Sequence, residues 1–251
     1  NIGRILGDAR YAKAYDGLVR LTSDADSQVR ALGCIALGKL GRREALPALF
    51  QVLRDNDNRD PHLRHAASYA VSLSADVDDL IAAAKDPSEG VRMGVLLAMR
   101  RLERSEIAVF LKDVSSKVVT EAARAINDVP ISGAMPDLAA LIEGGLPEGS
   151  QPALVRRVVN ANLRFGTADT AKALAAFAAK DSSFEASRAE ALVSLAVWPK
   201  NGGRDRISGL WRPTASPRDM KLPADALRPV VNGLQCIGGK LHDARGRRRT
   251  P

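Results

Sequence analysis

One helical stripe returns six times along this chain of 251 residues, and that recurrence limits the fold more than any other feature. Segments beginning Val29-Arg30, Leu63-Arg64, Val91-Arg92, Val118-Val119, Val155-Arg156 and Ser187-Arg188 can be laid over one another at spacings of 34, 28, 27, 37 and 32 residues. In the first, Val29, Leu32, Gly33, Ala36, Leu37 and Leu40 fall at i, i+3, i+4, i+7, i+8 and i+11, which is one face of an α-helix. In the third, Val91, Gly94, Val95, Ala98, Met99 and Leu102 occupy the same six offsets. The second fits through Leu63, Ala66, Ala67, Ala70 and Val71. The fourth keeps Val118, Ala122, Ala125, Ile126 and Val129 but is interrupted by Glu121, the fifth carries Asn162 in its stripe, and the sixth opens on Ser187.

Each of these helices follows another apolar-periodic stretch, at 14–21, 44–53, 77–84, 106–111, 134–142 and 167–179, so the repeating unit is a helix pair. Acidic or Ser-rich connections such as Ser23-Asp24-Ala25-Asp26, Asp86-Pro87-Ser88-Glu89 and Asp113-Val114-Ser115-Ser116 join the helices of a pair. Their side-chain oxygens suit the unpaired N–H groups of the next helix's first turn, and Pro87 suits the same point. Ala, Gly and Ser lie among the Leu and Val of the stripes, which lets neighbouring helices approach closely. One pair cannot bury its apolar face alone, whereas several stacked pairs share a continuous core. Runs of Val, Ile, Tyr and Phe with a period of two are missing, so no sheet is expected.

The fold class expected is all-α, an α-α superhelix of about six helix pairs over residues 1–198. A Trp/Pro/Gly/Arg-rich linker or cap is expected at 199–221, a terminal helix at 222–239 with Arg228-Pro229 as its kink, and a basic tail without fixed structure at 240–251. Nothing before Ala9 recognisably caps the other end of the array.

The run from Asp26 through Val29-Arg30 to Gly41, followed by Ala45-Leu-Pro-Ala-Leu, resembles a HEAT repeat. The Asp…Val-Arg spacing returns at Asp86…Val91-Arg92, and an Asp with an apolar partner returns at Asp113…Val118. The resemblance implies that Asp24, Arg30, Arg64, Asp86, Arg92 and Asp113 serve as polar ties between repeats and not as a reaction centre. A narrower resemblance rests on the stretches from Val91 to Leu102 and from Val119 to Ile131, and on Trp198-Pro-Lys with Gly203 to Arg212. These are similar to the helical segment of large planctomycete-type proteins in which a dehydrogenase-like propeller precedes the repeats and a c-type cytochrome module follows them. That likeness implies a periplasmic or otherwise extracytoplasmic redox assembly as the setting, although this chain has neither a Cys-x-x-Cys-His motif nor a strand-rich propeller.

Composition excludes further classes. Cys34 and Cys236 are too few for a disulfide framework or a thiolate metal cage. No apolar run approaches the roughly 20 residues needed to cross a bilayer, so membrane insertion is not expected. The chain starts at Asn1 with no charged-then-apolar leader after it, and the expectation is a processed or excised piece of something longer. His62 and His65, beside Asp60, lack a third nitrogen or sulfur ligand nearby in sequence, and His242 is isolated. The Asp55–Asp60 stretch lacks the Gly and terminal Glu of a calcium loop. No phosphate loop, no Ser nucleophile turn and no carboxylate pair in an apolar setting stands out, so neither catalysis nor a cofactor is expected.

The formal charge of +8 divides unevenly: residues 1–200 carry 26 Lys+Arg against 25 Asp+Glu, and residues 201–251 carry 11 against 4. The basic character therefore belongs to one end. Trp198, Arg204, Arg206, Trp211 and Arg212 are candidate partner contacts, because Trp and Arg anchor interfaces. Arg245, Arg247, Arg248 and Arg249 are further candidates. The function expected is a non-enzymatic scaffold that binds a protein partner. The alternative is nucleic-acid binding through the basic C-terminal region, with tail arginines on phosphates; the scarcity of aromatics for base stacking, 4% of residues, weighs against it.

Overall fold

The structure, a computed structural model, describes residues 2–144, 146, 149–180, 185–200, 202–214 and 218–231. The expected basic tail, with Arg245, Arg247, Arg248 and Arg249, lies outside these residues, as does the 232–239 part of the expected terminal helix. The fold is all-α: no strand occurs among the described residues, which hold a single isolated antiparallel bridge between Arg204 and Trp211. No helix among them is long and apolar enough to cross a membrane. The chain divides into two compact units, Asn1–Ala134 and Met135–Pro251.

The first unit holds α1 (Ile2–Asp8), α2 (Tyr15–Leu21), α3 (Ser27–Leu40), α4 (Leu46–Asn56), α5 (Pro61–Ser74), α6 (Val77–Ala83), α7 (Glu89–Arg101), a 3-10 helix (Ser105–Lys112) and α8 (Ser116–Asp128). The second helices of its four pairs lie side by side, α3 on α5, α5 on α7 and α7 on α8. The first helices cover them: α2 packs on α3, α4 spans α5 and α7, α6 packs on α7, and the 3-10 helix spans α7 and α8. Leu37, Leu49, Leu53, Leu63, Leu96, Met99, Ile107 and Ile126 form the core between the layers, each with at most 2% of its surface exposed. Cys34 is also sealed there, and burial pushes its thiol up to about 12 against the opposing influence of Arg30, which leaves it inert as a nucleophile.

The expected capping chemistry is present at several helix starts. The Asp26 carboxylate accepts from the N–H groups of Gln28 and Val29, Asp60 does the same for His62 and Leu63, and the Ser88 hydroxyl accepts from Val91 N–H. Each such cap typically contributes about 1 kcal/mol. Asp60 is thereby occupied as a helix cap. Two local features differ from the sequence expectation. The 106–111 stretch forms a 3-10 helix instead of an α-helix; its buried Ile107 and Phe110 are three residues apart, the repeat of that helix type. Ahead of Ala9, the chain does supply an element against the first pair: α1 packs on α3, and Asp8 pairs with Lys39.

Close helix approach rests on missing side chains. A Cβ on Gly38 of α3 would lie 2.6 Å from the Cα of Ala70 on α5, and one on Gly7 would lie 2.8 Å from the Cα of Ala36. Gly17 in α2 is the contrasting case, since its nearest atom would be the flexible end of Arg20 at 3.9 Å. Gly38→Ala is therefore expected to lower stability by about 1–3 kcal/mol through overpacking. Gly17→Ala is expected to raise it by up to about 1 kcal/mol through helix propensity. Thermal melts followed by circular dichroism check both; melting points that rise for both variants would refute backbone contact between α3 and α5.

In the second unit, α9 (Met135–Ala140), α10 (Pro152–Phe165), α11 (Ala168–Ala179) and α12 (Glu185–Ala196) make two more pairs, and α13 (Lys221–Leu227) packs on α11. Six helix pairs thus occur among the described residues, the number read from the stripe. Asn162 is 1% exposed and stays within the stripe because its amide donates to the carbonyls of Ala139 and Val158. Glu121 does not break α8; it is half-buried and pairs with Arg100 and Arg124. The α-helical course of α13 stops at Leu227 and passes into a 3-10 turn, Arg228–Val230, where Pro229 has no N–H to continue the ladder.

Candidate interaction surface

The Arg of the repeated Val-Arg step performs the same task in the first and third pairs. In α3, Arg30 Nη1 donates to the carbonyls of Asp24 and Ala25 at 2.7 and 3.0 Å. In α7, Arg92 Nη1 donates to the carbonyls of Asp86 and Pro87 at 2.9 and 3.0 Å, six and five residues back, as in Arg30. Both ties hold the connection that precedes their own helix, so the tie at Arg30 runs within its pair and to the Asp24 carbonyl; the Asp24 carboxylate instead accepts from Asp26 N–H. Arg92 reaches across to the next pair as well, through Nε and Nη2 to the two carboxylate oxygens of Asp113 at 2.8 and 3.1 Å. That bidentate pair is mostly buried, with 11% and 5% of the two side chains exposed. In α12, Arg188 is buried and donates through Nε to the carbonyl of Ala178.

Arg64 stands at the same step in the second pair and makes no such tie. The connection ahead of α5 closes on itself: Asn56 and Asp60 exchange two hydrogen bonds, Nδ2 to carbonyl at 2.9 Å and N–H to Oδ1 at 3.0 Å. Arg59 then satisfies the carbonyls of Asn56 and Asp55. Asp57 and Asn58 pass through left-handed backbone, with φ of 43° and 60°, which no residue of the connections ahead of α3, α7 and α8 does. Among the described residues the Arg64 guanidinium has neither a carboxylate nor a carbonyl partner.

It lines a cavity of about 560 Å3 on the second-helix side of α5 and α7, together with His65, Tyr69, Leu97, Arg100 and Arg101. The Arg101 guanidinium lies over the Tyr69 ring, 4.6 Å from its centroid, which holds it in place without neutralising it. Arg100 shares Glu121, and Glu103 is the acidic group of the lining. Arg100 and Arg101 end α7, where positive side chains face the negative pole of the helix. A second cavity of about 500 Å3, lined by Asp24, Arg30, Asp55, Asn56, Arg59 and Asp60, is a polar seam between two connections, and the bonds just described already engage its groups. No group of three His, Cys, Asp or Glu side chains suited to a metal ion occurs among the described residues.

The candidate contacts of residues 198–212 separate into inner and outer sets. Trp198 is fully buried after α12 and cannot meet a partner; the Arg218 guanidinium lies over its ring at 5.0 Å. Arg218 also donates to the carbonyls of Leu163 and Arg164 at the end of α10, so a Cβ on Gly166 would strike it at 2.6 Å. Arg206 forms two bonds with Glu190, at 2.8 and 3.1 Å. Arg204 donates to the Gly209 carbonyl, and Arg212 lends its carbonyl to Arg164. Trp211 is 69% exposed and covers Gly203.

The residue that organises this turn, Asp205, escaped the sequence reading. It is 2% exposed and accepts from Asn160 Nδ2 at 2.9 Å, Arg164 Nη1 at 3.3 Å, the N–H groups of Ile207 and Ser208, and the Ser208 hydroxyl. Burial by itself raises the pKa of such a carboxyl, but the Ser208 N–H, the Asn160 amide and the Ile207 N–H outweigh it, so the group titrates below the ordinary Asp value. The run Asp205-Arg-Ile-Ser208 is an Asx-type turn signal and was the one local cue available.

A chain in the solved complex of CpcE and CpcF of phycocyanin lyase from Nostoc sp. PCC7120 is similar to this one at 20% identity and a TM-score of 0.34, over 94% of this chain and 87% of that chain. Among curated proteins, none matches. Residues 1–72, from α1 almost to the end of α5, match the family model of HEAT repeats, and the described residues beyond them continue as all-α helix pairs.

Proposed function

We propose that this chain is a non-enzymatic scaffold that holds a protein partner against the open side of its second helices. The observation that carries this reading is the uninterrupted row α3, α5, α7 and α8 with a cavity on it whose cations are not used up by the repeat itself. Repeats that match HEAT models support it, since stacked pairs leave an extended surface of this kind for binding.

The test is a photo-crosslinking amino acid placed at His65 and at Leu73 on α5, and in separate variants at Gln51 on α4 and Ile81 on α6, followed by exposure to extract of the source cells. Protein adducts at His65 and Leu73, without the same adducts at Gln51 and Ile81, are the expected result. Adducts on the first-helix side alone, or the same yield at all four positions, would sink the reading. The finer setting, a helical segment within an extracytoplasmic redox protein, rests on the Val91, Val119 and Trp198 segments. The full reading frame tests it, because propeller and cytochrome modules would have to flank this chain.

A further inference from the structure

The cavity beside α5 contains an arginine of a kind that other pairs use to hold a connection. Arg64 occupies the step at which Arg30 and Arg92 hold their connections, yet Asn56 and Arg59 have taken over that work. A long cationic side chain is thereby left on the surface with no hydrogen bond from its guanidinium among the described residues. Arg101 is the second such group, propped on Tyr69. The charge is local: residues 1–134 carry 19 Lys+Arg against 18 Asp+Glu, so no basic field surrounds the cavity. Arg100, Glu121 and Arg124 neutralise one another in part, and Glu103 subtracts from what remains.

We propose that this cavity binds a short acidic segment of a protein partner, its carboxylates on Arg64 and Arg101 and an apolar neighbour against Leu97 and Val129. The inference rests on the scaffold reading above and names the chemistry of the partner. Two forked guanidinium groups suit carboxylates bidentately. The volume lies within the roughly 300–1,000 Å3 of ordinary ligand pockets, enough for a few residues of peptide. A polynucleotide is the poorer occupant, because a phosphate chain gains affinity from a long run of cations. Here Glu103 and Glu121 interrupt the run after two or three.

The experiment is fluorescence anisotropy with the full chain and three labelled probes: a peptide of repeating Glu-Asp-Leu, its Gln-Asn-Leu counterpart, and an oligothymidylate of matching length. Expected is binding of the acidic peptide that weakens with added salt, with the amide peptide weaker by tenfold or more, on the scale of lost charge pairing. Arg64→Glu with Arg101→Glu should weaken the acidic peptide by about tenfold or more. Lys13→Glu with Lys85→Glu, the same change of net charge away from the cavity, should leave it within about twofold. Circular dichroism confirms that the variants fold, and Arg64→Gln with Arg101→Gln provides a milder pair with the same direction of effect. Equal affinity for the acidic and amide peptides, indifference to both Arg64/Arg101 variants, or tighter binding of oligothymidylate would each overturn the proposal. Crosslinks at His65 and Leu73 with the acidic peptide ignored would reject the acidic segment and retain the scaffold. Peptide binding without any protein crosslink would do the reverse.

Discussion

Asp113→Ala is expected to cost about 3–5 kcal/mol of stability, the scale for stranding one member of a buried ion pair. Arg92 would keep its charge with 11% of its side chain exposed, and Ser115 N–H would lose its acceptor. The same guanidinium also holds the Asp86 and Pro87 carbonyls, so the loss should loosen the connection ahead of α7 as well as the contact with the next pair. Arg92→Met combined with Asp113→Leu should recover much of the loss, because an apolar pair of similar bulk carries no stranded charge. Urea unfolding of Arg92→Met, Asp113→Leu and the double variant measures the coupling. Single variants within about 1 kcal/mol of the parent chain, with additive effects, would show that the pair is not a structural tie.

Asp205→Ala should be comparably severe in the second unit, about 3–5 kcal/mol. It removes the acceptor shared by Asn160, Arg164, Ile207 and Ser208, and the first of these is itself 3% exposed. Unmet buried donors carry the cost, because the parent carboxylate satisfied them all in one place. The pH dependence follows from the lowered folded-state pKa. Relative to an unfolded Asp near pH 3.9, the carboxylate contributes its full stabilisation above that value and loses it as pH falls through the lower folded value. The unfolding midpoint of the parent chain should therefore drop, as pH falls below the ordinary Asp value, more steeply than that of Asp205→Asn. Trp211, mostly exposed on the braced turn, and Trp198, sealed beside Arg218, give separate fluorescence responses when each is replaced by Phe in turn. Identical acid profiles for the parent chain and Asp205→Asn would refute the role assigned to this carboxylate.

Helix pairs were legible because their determinants are local. The six offsets of α3 and α7 are set by 3.6 residues per turn, and the Asp and Ser caps act within three residues. The polar Glu121 within the stripe of α8, and Asn162 within that of α10, are accommodated by partners on other elements, Arg100 and the Ala139 carbonyl, that a single stripe does not display. Trp198 and Trp211 looked alike as interface anchors. Their opposite burial depends on where Arg218 and Gly203 lie, which is decided by the return of the chain after α12. Asp205 was hidden for the same reason, since Asn160 is 45 positions away and Arg164 is 41.

The three arginines at the Val-Arg step mark the division most clearly. Sequence alone determined that Arg30, Arg64 and Arg92 begin equivalent helices, because periodicity and capping are properties of neighbouring residues. Only the tertiary structure decided that Arg30 stays within its pair, that Arg92 also grips Asp113, and that Arg64 is left to line a cavity. The cause is the backbone at Asp57 and Asn58, whose left-handed turn lets Asn56, Arg59 and Asp60 satisfy one another and so frees a charge that the repeat pattern had assigned to structure.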